Sequence, residues 1–280
     1  MKKIAFLILA LAVSVVAQTK PRNPIAPSGS WADGLIRAYL FSAADSVAAD
    51  SVRDWSSSNI WGIIVNTGSW TSDVDAAHKP AWRLSGSNDY MGAGSVAASG
   101  ITDSISVFGV FNDVGSGASN EPISFSNRFA SPEQTMHMRD DDSSSPFDWQ
   151  FGVYTSSMVE ATADSIPNDG TTPYNSFFSI LGTYDGANVR VYRDGVLQGT
   201  SAQTGNVLIG SWTMEVGRST NGGGLFSFWH DGIVAAVYVW RRVLSASEIA
   251  ALRADPYVMF RDSEPGVEGG GEFWRRRSSR

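Results

Sequence analysis

The sequence predicts an all-β protein, an antiparallel β-sandwich with one short helix close to the C-terminus. Three observations support this class: short runs of β-branched and aromatic residues, turn signals between those runs, and a single segment with helix signals. Hydrophobic residues make up 42% of the 280 residues, which is enough for a large core. The clearest β-rich runs, which are separated along the chain by clusters of Gly, Asn, Asp and Ser, are 35–41, 104–111, 147–154 and 234–240.

The stretch GTYDGANVRVYRDGVLQG (182–199) predicts a meander of three strands. Asp185-Gly186 and Asp194-Gly195 supply the positive φ that tight hairpin turns require, and β-forming residues lie between the two pairs. We expect both aspartates to bond to the backbone of their own turns rather than to carry chemistry.

The segment LSASEIAALRADP (244–256) predicts the helix. Ser245 and Glu248 have the spacing of a capping box, Leu244 can pack on Ile249, and Pro256 ends the segment.

The N-terminal residues predict export. Residues 1–17 have two lysines, an apolar run and small residues before Ala17, the pattern of a secretory signal peptide. The apolar run is shorter than the roughly 20 residues that span a bilayer, so we predict no transmembrane anchor in the mature chain. A Pro-rich linker is predicted at 18–33, and a Gly-rich, Arg-ended flexible tail at 261–280. We therefore expect a secreted or cell-surface protein.

Composition excludes one class of partner. The formal net charge is −7 and the chain has four lysines, so there is no basic footprint for nucleic acid. There are no cysteines, hence neither a disulfide framework nor a lipid-attached cysteine is available.

Several segments, in order, resemble the laminin G-like (LamG-like) members of the concanavalin A-like lectin/glucanase superfamily. They are GLIRAYLF (34–41), DWSSSN (54–59), WRLSGSNDYM (82–91), SISVFGVF (104–111), the meander, and the run from Met214 to Leu252. The resemblance implies a jelly roll of two antiparallel sheets over residues 34–260. It also implies a lectin-like role for the chain, in which sugar binding or adhesion is the expected activity.

The chain departs from the family pattern at two places. Ala235 and Ala236 stand where members commonly carry an Asp-Glu pair, and Ser85 replaces the first Asp of another motif, which leaves Asn88 and Asp89 as the matched polar pair. Catalytic members use E-x-D-x-x-E on one strand, and no Glu here is followed two positions later by Asp. Because glycoside hydrolysis needs two carboxylates held close together, we predict that the protein is not an enzyme.

Sugar binding needs aromatic rings beside hydrogen-bonding groups. The aromatic candidates lie on or beside predicted strands and the polar candidates in nearby loops, although large aromatics on strands also serve as core residues. The candidate ligand-binding residues are Trp149, Tyr154, Trp212, Trp229, Asn112, Asp113 and Asn221.

Oxygen ligands for a metal are concentrated in one acidic stretch. Asp140, Asp141 and Asp142 lie at a predicted hairpin tip, and such hard ligands, with Asn88 and Asp89, would suit Ca²⁺. A solvated acidic turn is the alternative. The three histidines, at 78, 137 and 230, lack the spacing of a metal site or a catalytic triad.

The leading hypothesis is a secreted, non-catalytic module that binds a glycan or polysaccharide, or mediates adhesion to another surface protein. One alternative is a structural cell-surface or virion decoration protein that binds no sugar. A glycoside hydrolase on the same fold is the third.

Overall fold

The computed structural model describes residues 24, 26–41, 50–66, 69–71, 81–113, 121–126, 134–141, 148–163, 177–209, 212–220 and 226–261. The predicted signal peptide and nearly all of the predicted tail lie outside these ranges. Within them the chain forms eighteen strands and one α-helix, which confirms the predicted class of a β-sandwich with one short helix. No helix in the described ranges has the length and apolar character needed to cross a membrane.

The strands are short and follow one another closely along the chain. In chain order they are β1 (Leu35–Leu40), β2 (Ser51–Val52), β3 (Gly62–Val65), β4 (Ser69–Thr71), β5 (Ala81–Ser85), β6 (Tyr90–Ser95), β7 (Ile105–Asp113), β8 (Ile123–Ser126), β9 (Gln134–Asp141), β10 (Asp148–Tyr154), β11 (Met158–Ala163), β12 (Phe178–Tyr184), β13 (Asn188–Arg193), β14 (Val196–Ala202), β15 (Thr213–Val216), β16 (Arg218–Thr220), β17 (Phe226–Trp229) and β18 (Asp231–Trp240). The helix, α1, spans Ala246–Ala254.

Two antiparallel sheets of eight strands each form the sandwich. Sheet A has the order β14-β13-β12-β7-β18-β5-β4, and β1 pairs with the C-terminal half of β18 beside β5. Sheet B has the order β11-β10-β9-β8-β15-β6-β3-β2. Strands β16 and β17 form a separate two-stranded hairpin. In both sheets some neighbouring strands are distant in sequence, for example β7 and β18 in sheet A and β8 and β15 in sheet B. The sheets therefore depend on long-range pairing.

The core between the sheets is filled by large side chains from both layers. Phe111 of sheet A stacks on Trp149 of sheet B with ring centroids 5.6 Å apart and an interplanar angle of 19°. Phe151 of sheet B lies against Gly182 of sheet A, where a Cβ atom would overlap its ring. Gly182 is therefore the position that lets the two layers approach at this point.

The outer face of sheet A is covered as well. Helix α1 and the segment 257–260 bury Leu252 and Phe260 against Phe108, Tyr238 and Trp240 in a second apolar cluster. Because sheet A is covered on both faces, β1 and β12 are buried along their whole length instead of alternating.

Polar turns hold the connections in place. Both carboxylate oxygens of Asp54 accept hydrogen bonds, Oδ1 from the amides of Ala38 (3.0 Å) and Ser56 (2.9 Å), and Oδ2 from the Ser56 hydroxyl (2.8 Å) and the Ile60 amide (3.0 Å). The DWSSSN turn between β2 and β3 is thereby fastened to β1.

The turns of the meander follow the sequence expectation with one correction. Asp185 accepts from the amides of Ala187 and Asn188 at 3.0 and 2.7 Å, as an aspartate bonded to its own turn does. Asp194 has φ +48° in its turn, but its carboxylate accepts from the Ser179 amide of β12 at 2.8 Å. It therefore links two strands, because its turn folds back towards β12.

The helix has the predicted capping box. Ser245 Oγ accepts from the Glu248 amide at 3.3 Å, and Glu248 accepts from the Ser245 amide at 2.9 Å. Arg242 adds two hydrogen bonds to the Glu248 carboxylate, at 2.8 and 2.7 Å. Burial opposes ionisation of Glu248, but the bonds from Arg242 and Ser245 outweigh it and lower its pKa to about 2.

A first prediction concerns the approach of the two sheets at Gly182. Gly182→Ala should lower the free energy of unfolding by about 1–3 kcal/mol, because the new methyl group overlaps the Phe151 ring. Gly92→Ala is the matched control, since a Cβ at Gly92 meets no atom closer than 4.0 Å. Urea unfolding of both variants measures the difference. Equal midpoints for the two variants would contradict the assigned role of Gly182.

A second prediction concerns acid stability. The folded-state pKa of Glu248 lies below its ordinary value of 4.5, so its contribution is present above pH 4.5 and is lost as the pH falls towards 2. Wild type should therefore be more stable than Glu248→Gln at pH 7, and the difference in their free energies of unfolding should shrink steadily below pH 4.5. Chemical unfolding at a series of pH values tests this. A gap that does not change with pH would be inconsistent with ionised Glu248 as the capping group.

Candidate functional site

The outer face of sheet B carries a row of polar and small residues. Phe125, Met138, Phe151 and Met214 point into the core, so their neighbours along each strand point outward. The strand register aligns these outward residues in one line across seven strands. This line, called here the central row, is Glu160, Gly152, His137, Ser124, Glu215, Gly92 and Ile63.

One end of the central row is a hydrogen-bonded network, called here the β9–β11 network. His137 Nε2 lies 2.8 Å from Glu160 Oε1, and Arg139 Nη2 lies 3.0 Å from the same oxygen. Arg139 Nε donates to Gln150 Oε1 at 2.8 Å. Side chains of Arg139 and Glu160 are about one quarter exposed, at 26% and 27%. The network therefore presents paired donors and acceptors at the surface.

Gly152 makes this network possible. It lies between His137 and Glu160 in the central row, and a Cβ there would come within 2.6 Å of His137 Nε2. Because Gly152 has no side chain, the imidazole crosses β10 and reaches the Glu160 carboxylate.

The second group is an aromatic–arginine cluster formed by Tyr90, Glu215, Arg218 and Trp229. Arg218 donates from Nη2 to Glu215 Oε1 at 2.7 Å and from Nε to Oε2 at 3.1 Å, a bidentate ion pair. Its guanidinium carbon lies 3.2 Å from the Tyr90 ring centroid, and the Tyr90 and Trp229 centroids are 6.3 Å apart. Burial raises the pKa of Glu215, and the Arg218 ion pair opposes that rise.

The strand surface at Gly92, beside this cluster, has room for a Cβ atom and is called here the Gly92 depression. The nearest atom that such a Cβ would meet is the Ile63 carbonyl oxygen, 4.0 Å away. Gly92 lies between Ile63 and Glu215 in the central row. The Ile63 side chain is 52% exposed. Tyr90 precedes Gly92 by two residues, so both lie on the same face of β6. The Gly92 depression is thus bordered by an aromatic ring, an apolar side chain and an ion pair.

The structure divides the sequence-predicted ligand residues between the two ends of the sandwich. Asn112, Asp113, Trp149 and Trp229 lie at the end where β7 and β17 finish and β10 begins, and the Phe111–Trp149 stack joins the two sheets there. Tyr154 and Trp212 lie at the opposite end, where the Tyr154 carbonyl accepts from the Leu208 amide at 3.0 Å and Trp212 Nε1 donates to the Leu208 carbonyl at 2.9 Å. These residues therefore do not form one site.

Three of these residues are corrected to packing residues. Trp149 and Trp212 are only 1% and 3% exposed, and Asn112 is buried too, so none of them presents a surface to a sugar. Trp149 is held between Phe111 and Phe178 because its strand position points into the core. Tyr154 and Trp229 are half-buried and keep part of their rings at the surface. Asn221 and the Asp113 side chain lie outside the described part of the chain.

The predicted metal ligands are only partly described. Asp89 is buried and its Oδ2 accepts from the Ser85 amide at 3.0 Å, which closes the turn between β5 and β6. The Asn88 carbonyl accepts from Asn66 Nδ2 at 3.0 Å. Asp142 and the side chains of Asp140 and Asp141 lie outside the described residues. In the part that is described, no three His, Cys, Asp or Glu residues form a metal site, so calcium stays a prediction.

Sequence reasoning missed most of the outer-face residues. The spacing of His137 predicted no metal site or triad, and no motif pointed to Arg139, Gln150, Glu160, Glu215 or Arg218. The signal was present in QTMHMRDD (134–141), where polar residues alternate with Met136 and Met138. That alternation marks one polar and one apolar face of a strand.

Comparison with known protein families supports the resemblance drawn from the motifs. Residues 113–250 match the laminin G model of the concanavalin A-like lectin/glucanases superfamily, which confirms that resemblance. No curated protein matches the chain.

Three solved structures have a similar fold. Domain 4 of AbnA, a GH43 extracellular arabinanase from Geobacillus stearothermophilus, in complex with arabinotriose, is 15% identical with a TM-score of 0.55, covering 78% of this chain and 98% of that one. The binding domain of botulinum neurotoxin DC, in complex with SialylT, is 14% identical with a TM-score of 0.56, covering 79% and 51%. Trypanosoma rangeli sialidase is 14% identical with a TM-score of 0.58, covering 88% and 37%.

These similarities concern the fold alone, because the identities are low. The chain spans about half of the neurotoxin domain and little more than a third of the sialidase, at 51% and 37% of their lengths.

A third prediction concerns the buried ion pair. Glu215→Gln should lower the free energy of unfolding by about 3 kcal/mol, because it leaves the Arg218 charge buried without its partner. The double variant Glu215→Gln with Arg218→Met should lose less than the sum of the two single losses. Denaturant unfolding of the four proteins gives the coupling energy. Additive losses would show that the two side chains do not depend on each other.

Proposed function

We propose that this chain, which carries a laminin G-like domain of the concanavalin A-like lectin/glucanase superfamily, is an exported, non-catalytic carbohydrate-binding module. The observation that carries the proposal is the half-buried Tyr90–Trp229 pair beside the open Gly92 depression, on a face that is otherwise polar. Export rests on the predicted signal peptide.

The chemistry of this face suits a sugar. A pyranose or furanose ring has C–H surfaces that pack on aromatic faces, and hydroxyls that require fixed donors and acceptors. Tyr90 and Trp229 supply the aromatic surface, and Gly92 leaves room for a ring to lie on the strand. The ion pair of Glu215 with Arg218 and the β9–β11 network supply polar groups along the same row.

The scaffold holds these groups in place before any ligand binds. Each lies on or next to a hydrogen-bonded strand, and the guanidinium groups of Arg139 and Arg218 are fixed by two or more contacts. Rigid side chains lose little conformational entropy on binding, which favours affinity for a flexible polyol.

The placement of the acidic residues supports binding without catalysis. Glu160 and Glu215 share the outer face of sheet B, but four strand spacings separate them along the central row. At about 4.8 Å per spacing the separation is roughly 19 Å. Glycosidases hold their two carboxylates about 5–10 Å apart.

The comparisons give this proposal its ligand class. The arabinanase domain was solved in complex with arabinotriose, and the neurotoxin domain in complex with SialylT. Both share the fold of this chain, so a carbohydrate is the ligand class that we propose for it.

A fourth prediction tests the site. Trp229→Ala should weaken glycan binding at least about tenfold, because an aromatic anchor is worth 1.4 kcal/mol or more. Gly92→Leu should abolish binding, because the leucine side chain fills the Gly92 depression. The variant should still fold, because an added Cβ at Gly92 meets no atom closer than 4.0 Å. Trp55→Ala is the matched control, since Trp55 packs with the cluster that covers the opposite sheet. A glycan array followed by calorimetry on the strongest ligand measures these effects.

Two outcomes would overturn the proposed function. Absence of binding to every glycan, together with stable self-assembly, would favour the structural surface-protein alternative. Release of reducing ends from a polysaccharide by the purified protein would favour the hydrolase.

A further inference from the structure

Arg139 and Arg218, which lie beside the central row on the outer face of sheet B, are each held by a carboxylate. Arg218 forms the bidentate ion pair with Glu215, and the side chains of Arg218 and Glu215 are 11% and 8% exposed, respectively. Arg139 contacts the Glu160 carboxylate at 3.0 Å and the Gln150 carbonyl oxygen at 2.8 Å. Both arginines therefore have a carboxylate partner within the protein.

This pairing decides which class of sugar the face can accept. Acidic sugars carry a carboxylate, and proteins hold such a group best with the two parallel N–H donors of an arginine fork. At Arg218 that fork is occupied by both oxygens of Glu215, and the guanidinium face rests on Tyr90. An acidic ligand would have to displace Glu215 and leave a buried carboxylate without its partner, which is a large cost.

The electrostatic setting acts in the same direction. The formal net charge of the chain is −7. Arg83 of sheet A is also paired, with Asp231 at 2.8 Å. A net negative charge repels an anionic chain and lowers its association rate.

From these contacts we infer that the outer face of sheet B binds uncharged glycans and discriminates against acidic ones. The inference rests on the proposed carbohydrate-binding function and adds the charge class of its ligand. An uncharged sugar can pack on Tyr90 and Trp229 without breaking either ion pair. An acidic sugar gains no arginine fork at Arg218 unless it displaces Glu215.

The test compares ligands that differ chiefly in charge. Lactose and sialyllactose conjugates form one pair, and galactan and polygalacturonate form another. We expect wild type to bind the neutral member of each pair at least about tenfold more tightly, with an affinity that changes little between 50 and 500 mM NaCl. Tighter, salt-sensitive binding of the acidic members would overturn the inference while leaving the carbohydrate-binding function intact. Failure to bind any of the four, or any other glycan on the array, would overturn the function itself.

A variant separates ion pairing from other causes of selectivity. Glu160→Gln removes the carboxylate that neutralises Arg139, at a position about one quarter exposed where the fold should tolerate the change. We expect it to gain affinity for polygalacturonate and sialyllactose and so to narrow the discrimination by several fold. Asp231→Asn, which releases Arg83 on sheet A, is the control and should leave the discrimination unchanged. Equal discrimination in wild type and Glu160→Gln would overturn the role of the ion pairs.

Discussion

Strict alternation of side chains along sheet B places the core and the candidate site on opposite faces of the same strands. Phe125, Met138 and Phe151 fill the interior, and for that reason Ser124, His137 and Gly152 face outward in register. A strand that slipped by one residue would bury the polar row and expose the aromatic core, so the hydrophobic effect that stabilises the sandwich also keeps the outer groups aligned. The geometry of the site is thus maintained by the core behind it.

The two sheets differ in what covers them, and the site that we propose lies on the sheet without the helix. Helix α1 and the segment that follows it seal the outer face of sheet A with apolar contacts, and the capping box and Arg242 hold the helix in position. Sheet B presents polar groups instead, and its strand glycines have separate effects: Gly152 lets His137 reach Glu160, and Gly92 leaves open space next to Tyr90. The small residues on this sheet therefore shape the surface as much as the large ones.

Charge on the outer face of sheet B is paired within the protein, and the selectivity that we propose follows from this pairing. The pair of Glu215 with Arg218 is almost buried, and the pair of Glu160 with Arg139 is partly exposed, yet each satisfies its charge within the protein. Paired charges of this kind fix side-chain positions and offer hydrogen bonds without a strong local field. In the carbohydrate-binding function that we propose, such a surface suits a polar, uncharged ligand better than an ion.

Local signals in the chain were sufficient for the fold class, the capping box of Ser245 with Glu248, and the turn role of Asp185, because each depends on residues a few positions apart. The superfamily was also recognisable from ordered motifs. The burial of Trp149 and Trp212 was not recognisable from the sequence, since it depends on whether each side chain points into the core or outward in the folded sandwich. His137 and Glu160 are 23 residues apart and meet only because β9 and β11 flank β10, while Tyr90 meets Arg218 through pairing between distant segments. Propensity and spacing act over short stretches of chain, whereas the site is assembled by strand register and layer packing, and these exist only once the whole sandwich has formed.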